Sequence, residues 1–310
     1  YADSLTGTTA ADYIDGGAGN DTIMGNGGID ALHGGDGNDT ITLGGGNDSV
    51  GETNSYGSGA DSIDMGAGND AVNAGGEYVV GNDTYIGGAG TDSATYGSES
   101  KPVTFTYVSD DTANATGINF TAAGAGVGTN TLYGFESLSA GNGNDLIDFS
   151  GTTRPMTLSG GYGNDTMLCG SGDDTVNDSG TSGVGSDSID LGAGNDTLNA
   201  GANGYGSNNT YIGGLGTDVF NNGTSTYLTF TATGPTAGGG VSGTVTDPNN
   251  GTDSFAGFEW FSSGSGYHLY DFSAAGTAVT LSGGASAADT LIGGAGNDQM
   301  AASSTSVAKI

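Results

Sequence analysis

GGAGNDTIM, GNGGIDALH, GGDGNDTIT and LGGGNDSVG follow one another from residue 16 to residue 51, four steps of nine. Aspartate stands at 21, 30, 39 and 48, and two positions later comes an apolar residue: Ile23, Leu32, Ile41, Val50. Asp3 and Asp12 continue the step upstream in degraded form. Self-similarity at a fixed short period marks a repeat architecture. The glycines suit turns in which backbones approach closely. The three residues after each Asp suffice for a very short strand with one inward side chain. Two such turn-plus-strand units make one coil of about 18 residues, with successive coils about 4.8 Å apart. Stacking then puts Asp21 over Asp39 and Asp30 over Asp48. Carboxylates at that distance repel by roughly 1 kcal/mol even in water. A column of them needs a cation, and carboxylate plus backbone-carbonyl oxygens suit Ca2+ rather than zinc or copper.

The consensus G-G-x-G-x-D-x-U-x, with U apolar, resembles the calcium-binding nonapeptide of the RTX family. The resemblance implies an all-β fold, a right-handed parallel β-roll or β-solenoid with calcium between turns. In that family the ions are held by Asp carboxylates and carbonyls of the glycine-rich loops. Carried onto the matching positions, the expected ligands in the first stretch are Asp12, Gly17, Gly19, Asp21, Gly28, Asp30, Gly35, Gly37, Asp39, Gly44, Gly46 and Asp48. They continue with Asp61, Gly66, Gly68, Asp70, Asp83, Gly88, Gly90, Asp92, Asp145, Gly161, Gly163, Asp165, Gly170, Gly172 and Asp174. The last group is Asp187, Gly192, Gly194, Asp196, Gly214, Gly216, Asp218, Asp289, Gly294, Gly296 and Asp298.

Composition points the same way. Of 310 residues 65 are glycine, and 35 acidic side chains face 3 Lys plus Arg, for a net charge of −32. Leu, Ile, Val and Phe number 51, about 16 % of the chain, a level that with high net charge signals disorder. The calcium-free chain is therefore expected to be unfolded, with binding energy acting as folding energy. Sixteen divalent ions would cancel −32; shared ligands and solvent-facing Asp widen the expectation to roughly 8–18 Ca2+. Three cations cannot neutralise a phosphate backbone or an anionic membrane surface, which excludes nucleic acid and lipid adsorption. No run of about 18 apolar residues exists to span a bilayer. Cys169 is the single cysteine and has no internal disulfide partner. Residue 1 is Tyr, without a charged and then apolar leader after it; a removed leader, a fragment or another export route are the open expectations.

Beyond Asp48 the steps alternate: Asp61, Asp70, Asp83 and Asp92 are separated by 13, 9, 13 and 9, a 22-residue coil. The four extra residues fall in one corner, at 52–57 and again at 76–81. GADSIDMGAGND at 59–70 returns as GSDSIDLGAGND at 185–196, and LIDFS at 146–150 as LYDFS at 269–273. The expected organisation is an N-terminal roll at 1–56 and two duplicated units at 57–182 and 183–310. Each unit has an insert poor in Gly-Asp motifs, at 97–133 and 221–256, with strand-like runs VTFTYV and YLTFTAT. These are expected to flank the roll or leave it as a hairpin, with the aromatics forming small satellite cores.

The second copy is degraded at two rungs: Asn209 aligns with Asp83, and His268 with Asp145. A weakened or absent ion is expected at the first, a missing or altered one at the second. Glu136 and Glu259 are equivalent and are expected to ligate calcium or shape the turn where the roll restarts. The chain has two histidines, no H-E-x-x-H and no G-x-S-x-G, so neither a zinc protease centre nor a nucleophile elbow is present. No catalytic residue is expected, and no cofactor but calcium. Three functions compete: a self-assembling surface-layer, filament or matrix subunit; an adhesin segment that takes a surface, a glycan or cell-surface polysaccharide; and a roll module of a secreted enzyme. All three are extracellular or cell-surface and bacterial, with export by a type I system.

Overall fold

The computed structural model describes residues 1–51, 59–75, 81–97, 99–112, 117–178, 185–201, 207–223, 227–248, 251–284, 289–301 and 307–309. The corner segment 52–57, all of 76–81 but Gly81, and the duplication boundaries at 56/57 and 182/183 lie outside them. The chain forms two compact units, Tyr1–Gly161 and Tyr162–Ile310. That division follows packing, whereas 57–182 and 183–310 follow duplicated sequence.

The fold is all-β, built of parallel stacked coils. In the first unit one column of three-residue strands runs Ser4–Thr6, Thr22–Met24, Thr40–Thr42, Ser62–Asp64 and Thr84–Ile86, each parallel to the next. A second column runs Tyr13–Asp15, Ala31–His33, Ser49–Gly51, Ala71–Asn73 and Ser93–Thr95. The middle residue of each strand points inward, which is why the apolar residue follows Asp by two. Leu5, Ile23, Ile41, Ile63 and Tyr85 are in register, as are Ile14, Leu32, Val50, Val72 and Ala94. From Ile23 and Leu32 onward these side chains are buried. A coil thus orders about 18–22 residues around two or three inward apolar side chains, too thin a core to offset chain entropy unaided.

The first insert is spliced into this stack. Val103–Asp110, Ile118–Gly124 and Gly128–Phe135 form an antiparallel meander. Its last strand pairs in parallel with Thr84–Ile86 and its first with Leu146–Asp148. The inserts therefore neither flank the roll nor leave it as a hairpin. Nor do their aromatics form satellite cores: Leu132 is in register with Tyr85 and Phe105 with Ile147, inside the roll's own apolar column. The cause is the alternating burial along each long strand, which continues the inward-facing pattern of the short ones. Phe120 packs on Phe149 at 5.1 Å and on Phe105 and Phe135 at 6.3 Å between ring centroids. Ser137–Gly141 then resumes the second column on Ser93–Thr95.

The second unit repeats the plan. Thr166–Leu168, Ser188–Asp190 and Thr210–Ile212 stack in one column, and Thr175–Asp178, Thr197–Ala200 and Val219–Asn222 in the other. The meander Leu228–Pro235, Val241–Asp247 and Gly251–Phe258 is spliced between Thr210–Ile212 and His268–Asp271. Phe220 lies 5.3–6.0 Å from Phe230, Phe255, Phe258 and Phe261. Aromatic contacts of this kind add about 0.5–1.5 kcal/mol each beyond area. Among the described residues no helix is long and apolar enough to cross a membrane.

Candidate metal centre

The corners between the short strands carry the aspartates in two ladders. Along one, the Asp3 N–H donates to Asp21 Oδ1 at 2.8 Å, Asp21 to Asp39 at 2.7 Å, Asp39 to Asp61 at 2.7 Å and Asp61 to Asp83 at 2.9 Å. Along the other, Asp12 donates to Asp30 at 2.9 Å, Asp30 to Asp48 at 2.8 Å, Asp48 to Asp70 at 2.7 Å and Asp70 to Asp92 at 2.8 Å. The second unit continues the rule in Asp165 to Asp187, Asp174 to Asp196 and Asp196 to Asp218, at 2.7–2.9 Å. Each rung thereby spends Oδ1 on the backbone one coil away.

Oδ2 is the atom left for a metal. In Asp21, Asp30, Asp39, Asp48, Asp70, Asp92, Asp196 and Asp218 it is buried and accepts no hydrogen bond. A buried carboxylate oxygen without a partner is costly, and a cation removes the cost. At Asp21, Asp30, Asp39, Asp92 and Asp218 the oxygen lies over the first glycine of its repeat, where a Cβ would crowd it. A Cβ on Gly16 would come within 2.5 Å of both Asp21 Oδ2 and the Gly34 carbonyl of the next coil. On Gly87 it would meet Asp92 Oδ2 at 2.7 Å and the Gly134 carbonyl at 2.6 Å; on Gly213, Asp218 Oδ2 at 2.9 Å and the Gly257 carbonyl at 2.5 Å. Carboxylate and carbonyl oxygens thus converge on the same cradle, a donor set that fits calcium. Among the described residues no three His, Cys, Asp or Glu side chains converge, so a full calcium shell at a corner would need backbone carbonyls as well as carboxylates.

The glycines at the second and fourth positions of the repeat hold the turn. Gly35 has φ +97°, and a Cβ there would collide with the Gly17 carbonyl below it. The Asp36 N–H donates to Gly17 O at 2.8 Å while the Gly19 N–H donates to Asp36 O at 2.7 Å, locking one corner to the next. Gly17, Gly19, Gly28, Gly35, Gly37, Gly44, Gly46, Gly66, Gly68, Gly88, Gly90, Gly161, Gly163, Gly192, Gly194, Gly214 and Gly216 all take positive φ; Gly170, Gly172, Gly294 and Gly296 are not among the positive-φ residues.

Burial and like charge act on the same carboxyls. With protein groups alone around them, Asp61 and Asp92 are pushed up to about 6 and Asp196 to about 7. Desolvation is the main cause, followed among the raising influences by the neighbouring rungs: Asp83 and Asp39 for Asp61, Asp70 and Glu136 for Asp92, Asp174 and Asp218 for Asp196.

The structure places the remaining sequence-derived positions as follows. Glu136 and Glu259 cap the second ladder of their units, with Oε2 accepting from the N–H of Asp92 at 2.7 Å and of Asp218 at 2.8 Å. The Val103 N–H donates to Asp145 Oδ1 at 2.8 Å, His268 to Asp289 Oδ1 at 3.0 Å and Val279 to Asp298 Oδ1 at 3.1 Å. Cys169 fills the first-glycine place of its corner, and burial raises its thiol well above the usual range, which keeps it protonated and inert. Leu43, Met65 and Leu191 occupy the same place in other corners, all fully buried.

Asn209 keeps the ladder but not the free oxygen. Its Oδ1 accepts the Asp187 N–H at 2.7 Å, while Nδ2 donates to Tyr211 Oη at 2.8 Å and Tyr211 donates on to Asp178 Oδ2 at 2.5 Å. The His268 ring is buried, and desolvation pushes its pKa down, favouring the neutral form. Crystals soaked in terbium should show strong anomalous density at Asp196 and none, or weak density, at Asn209 and His268. Equal density at the three would contradict the part given to Oδ2. Sequence reasoning missed the first-glycine cradle, although Gly16, Gly25 and Gly34 recur in the motif. It also missed Asn130 and Asp253, whose Oδ1 atoms accept from Asp83 and Asn209 across gaps of 47 and 44 residues. No local spacing signals such a pairing.

The fold and its corners define a class, the parallel β-roll with oxygen-lined, cation-ready turns. The family model described as the RTX calcium-binding nonapeptide repeat, in four copies, matches residues 1–32, 24–50, 80–94, 157–176 and 280–304. The chain carries RTX calcium-binding nonapeptide repeats, and its parallel stacked coils are consistent with the β-roll such repeats form. The rungs extend past the matched segments, through Asp61 and Asp70 and through Asp187 and Asp196. No curated protein matches the chain.

Proposed function

We propose that this chain is a non-enzymatic structural protein of the bacterial exterior, exported unfolded by a type I system. Calcium folds and stiffens it outside, and it then self-associates into a surface layer, filament or matrix. The observation that carries the reading is the set of buried Asp Oδ2 atoms that no protein group satisfies. The millimolar calcium of an extracellular setting would load such sites while a cytosol would not. Cell-surface polysaccharide is a candidate partner for attachment. Duplicated units give two similar sets of surfaces from one chain, which favours repetitive assembly.

Negative-stain microscopy and light scattering at millimolar calcium test the assembly. Ordered polymer that dissolves in chelator is expected. A monodisperse monomer at the same calcium concentration would contradict self-association while leaving calcium-driven folding in place.

A further inference from the structure

Glu99 sits in the corner between Ser93–Thr95 and Val103–Asp110, and it is completely buried. The nonapeptide pattern places no acid there. Val103 holds the rung position of this coil, since its N–H donates to Asp145 Oδ1 in the manner of an Asp rung. The coil therefore lacks its own ladder carboxylate, and Glu99, four residues earlier, brings one.

Three features of the Asp corners recur at Glu99. One carboxylate oxygen is held by backbone: the Lys101 N–H donates to Oε1 at 2.8 Å. The other, Oε2, is buried and accepts no hydrogen bond. That oxygen also lies over a glycine, for a Cβ on Gly126 would collide with Glu99 Oε2. The corner is tied into the stack by the Asn142 N–H, which donates to the Glu99 carbonyl at 2.9 Å. A lone buried carboxylate with half its valence unmet calls for a positive charge. Among the described residues no Lys or Arg forms a hydrogen bond to the free oxygen.

We propose that Glu99 binds a further Ca2+ ion, outside the nonapeptide pattern, between its own corner and the Gly124–Gly128 turn. The ligand class is a hard, oxygen-seeking divalent cation, because the unsatisfied group is a carboxylate oxygen. The site belongs to the first copy alone: between Gly223 and Tyr227 the second copy reads Thr-Ser-Thr, with no acid. Its role is to bridge the ladder where the meander interrupts it.

The test compares the full wild-type chain with Glu99→Gln, a replacement that keeps the shape and the bond to Lys101. Calcium is counted at saturation by native mass spectrometry. One ion fewer in the variant is expected, and an equal count overturns the proposal. An infrared band of a protonated carboxyl that survives calcium saturation and disappears in the variant also overturns it, by showing that a proton neutralises Glu99. Should the variant fail to fold, wild-type crystals soaked in terbium decide. An anomalous peak about 2.3–2.6 Å from Glu99 Oε2 supports the site. Peaks at the Asp corners but none at Glu99 overturn this inference alone; no peak anywhere overturns the calcium reading as well.

Discussion

Gly35→Val should unfold the N-terminal coils while leaving the second unit intact. Two effects add at this position. Valine is strongly disfavoured at φ +97°, and its Cβ would occupy the place of the Gly17 carbonyl. Backbone strain alone costs about 1–3 kcal/mol, and forcing the coils apart breaks the paired bonds between Asp36 and Gly17 and Gly19. The total should exceed about 4 kcal/mol, in the range reserved for severe lesions. Because each coil contacts only its neighbours, the damage stays local. Hydrogen exchange at saturating calcium should show amide protection lost around residues 1–34 and kept in 185–223. Gly27→Ala is the control: a Cβ there meets only the Gly45 carbonyl, at 3.3 Å, and Gly27 has no positive φ. That variant should lose little protection. Equal loss in both variants would show that coil stacking does not depend on the glycine corner as described.

The second large effect is a reversal of pH dependence by calcium. Asp61 and Asp92 titrate near 6 and Asp196 near 7 when only protein surrounds them, above the value near 3.9 of an unfolded Asp. Between those values the folded chain holds more protons than the unfolded one. Its stability in EDTA is therefore greatest at low pH and falls as pH rises from about 4 to 7. Saturating calcium displaces those protons, and then acid destabilises, by about 1.4 kcal/mol per pH unit for each proton taken up. The folded fraction read by circular dichroism between pH 5 and pH 7.5 should rise toward low pH in EDTA and fall toward low pH at subsaturating calcium, so that the two slopes are opposite. Slopes of the same sign would mean that the rung carboxyls are not where calcium and protons compete.

Much of this was legible in the sequence because the determinants are local. The nine-residue step placed Asp21, Asp30, Asp39 and Asp48 in two columns, and the inward Ile23, Leu32, Ile41 and Val50 followed from strand alternation. What was not legible depends on distant pairing. The meanders join the sheet because Val103–Asp110 skips ahead to pair with Leu146–Asp148 while Gly128–Phe135 returns to Thr84–Ile86. Period alone cannot reveal that crossing. For the same reason Asn130 and Asp253 had no signal, and nothing in the local sequence marks Glu99 as buried. At Asn209 the substitution was visible, but the chain through Tyr211 to Asp178 depends on a side chain from the opposite column.

Divalent metal holds one coil to the next. Small-angle scattering during a calcium titration of the full chain at neutral pH tests it most directly. An expanded chain in EDTA that contracts cooperatively as calcium rises toward millimolar is the predicted result. A chain already compact in EDTA, unchanged by added calcium, would contradict it.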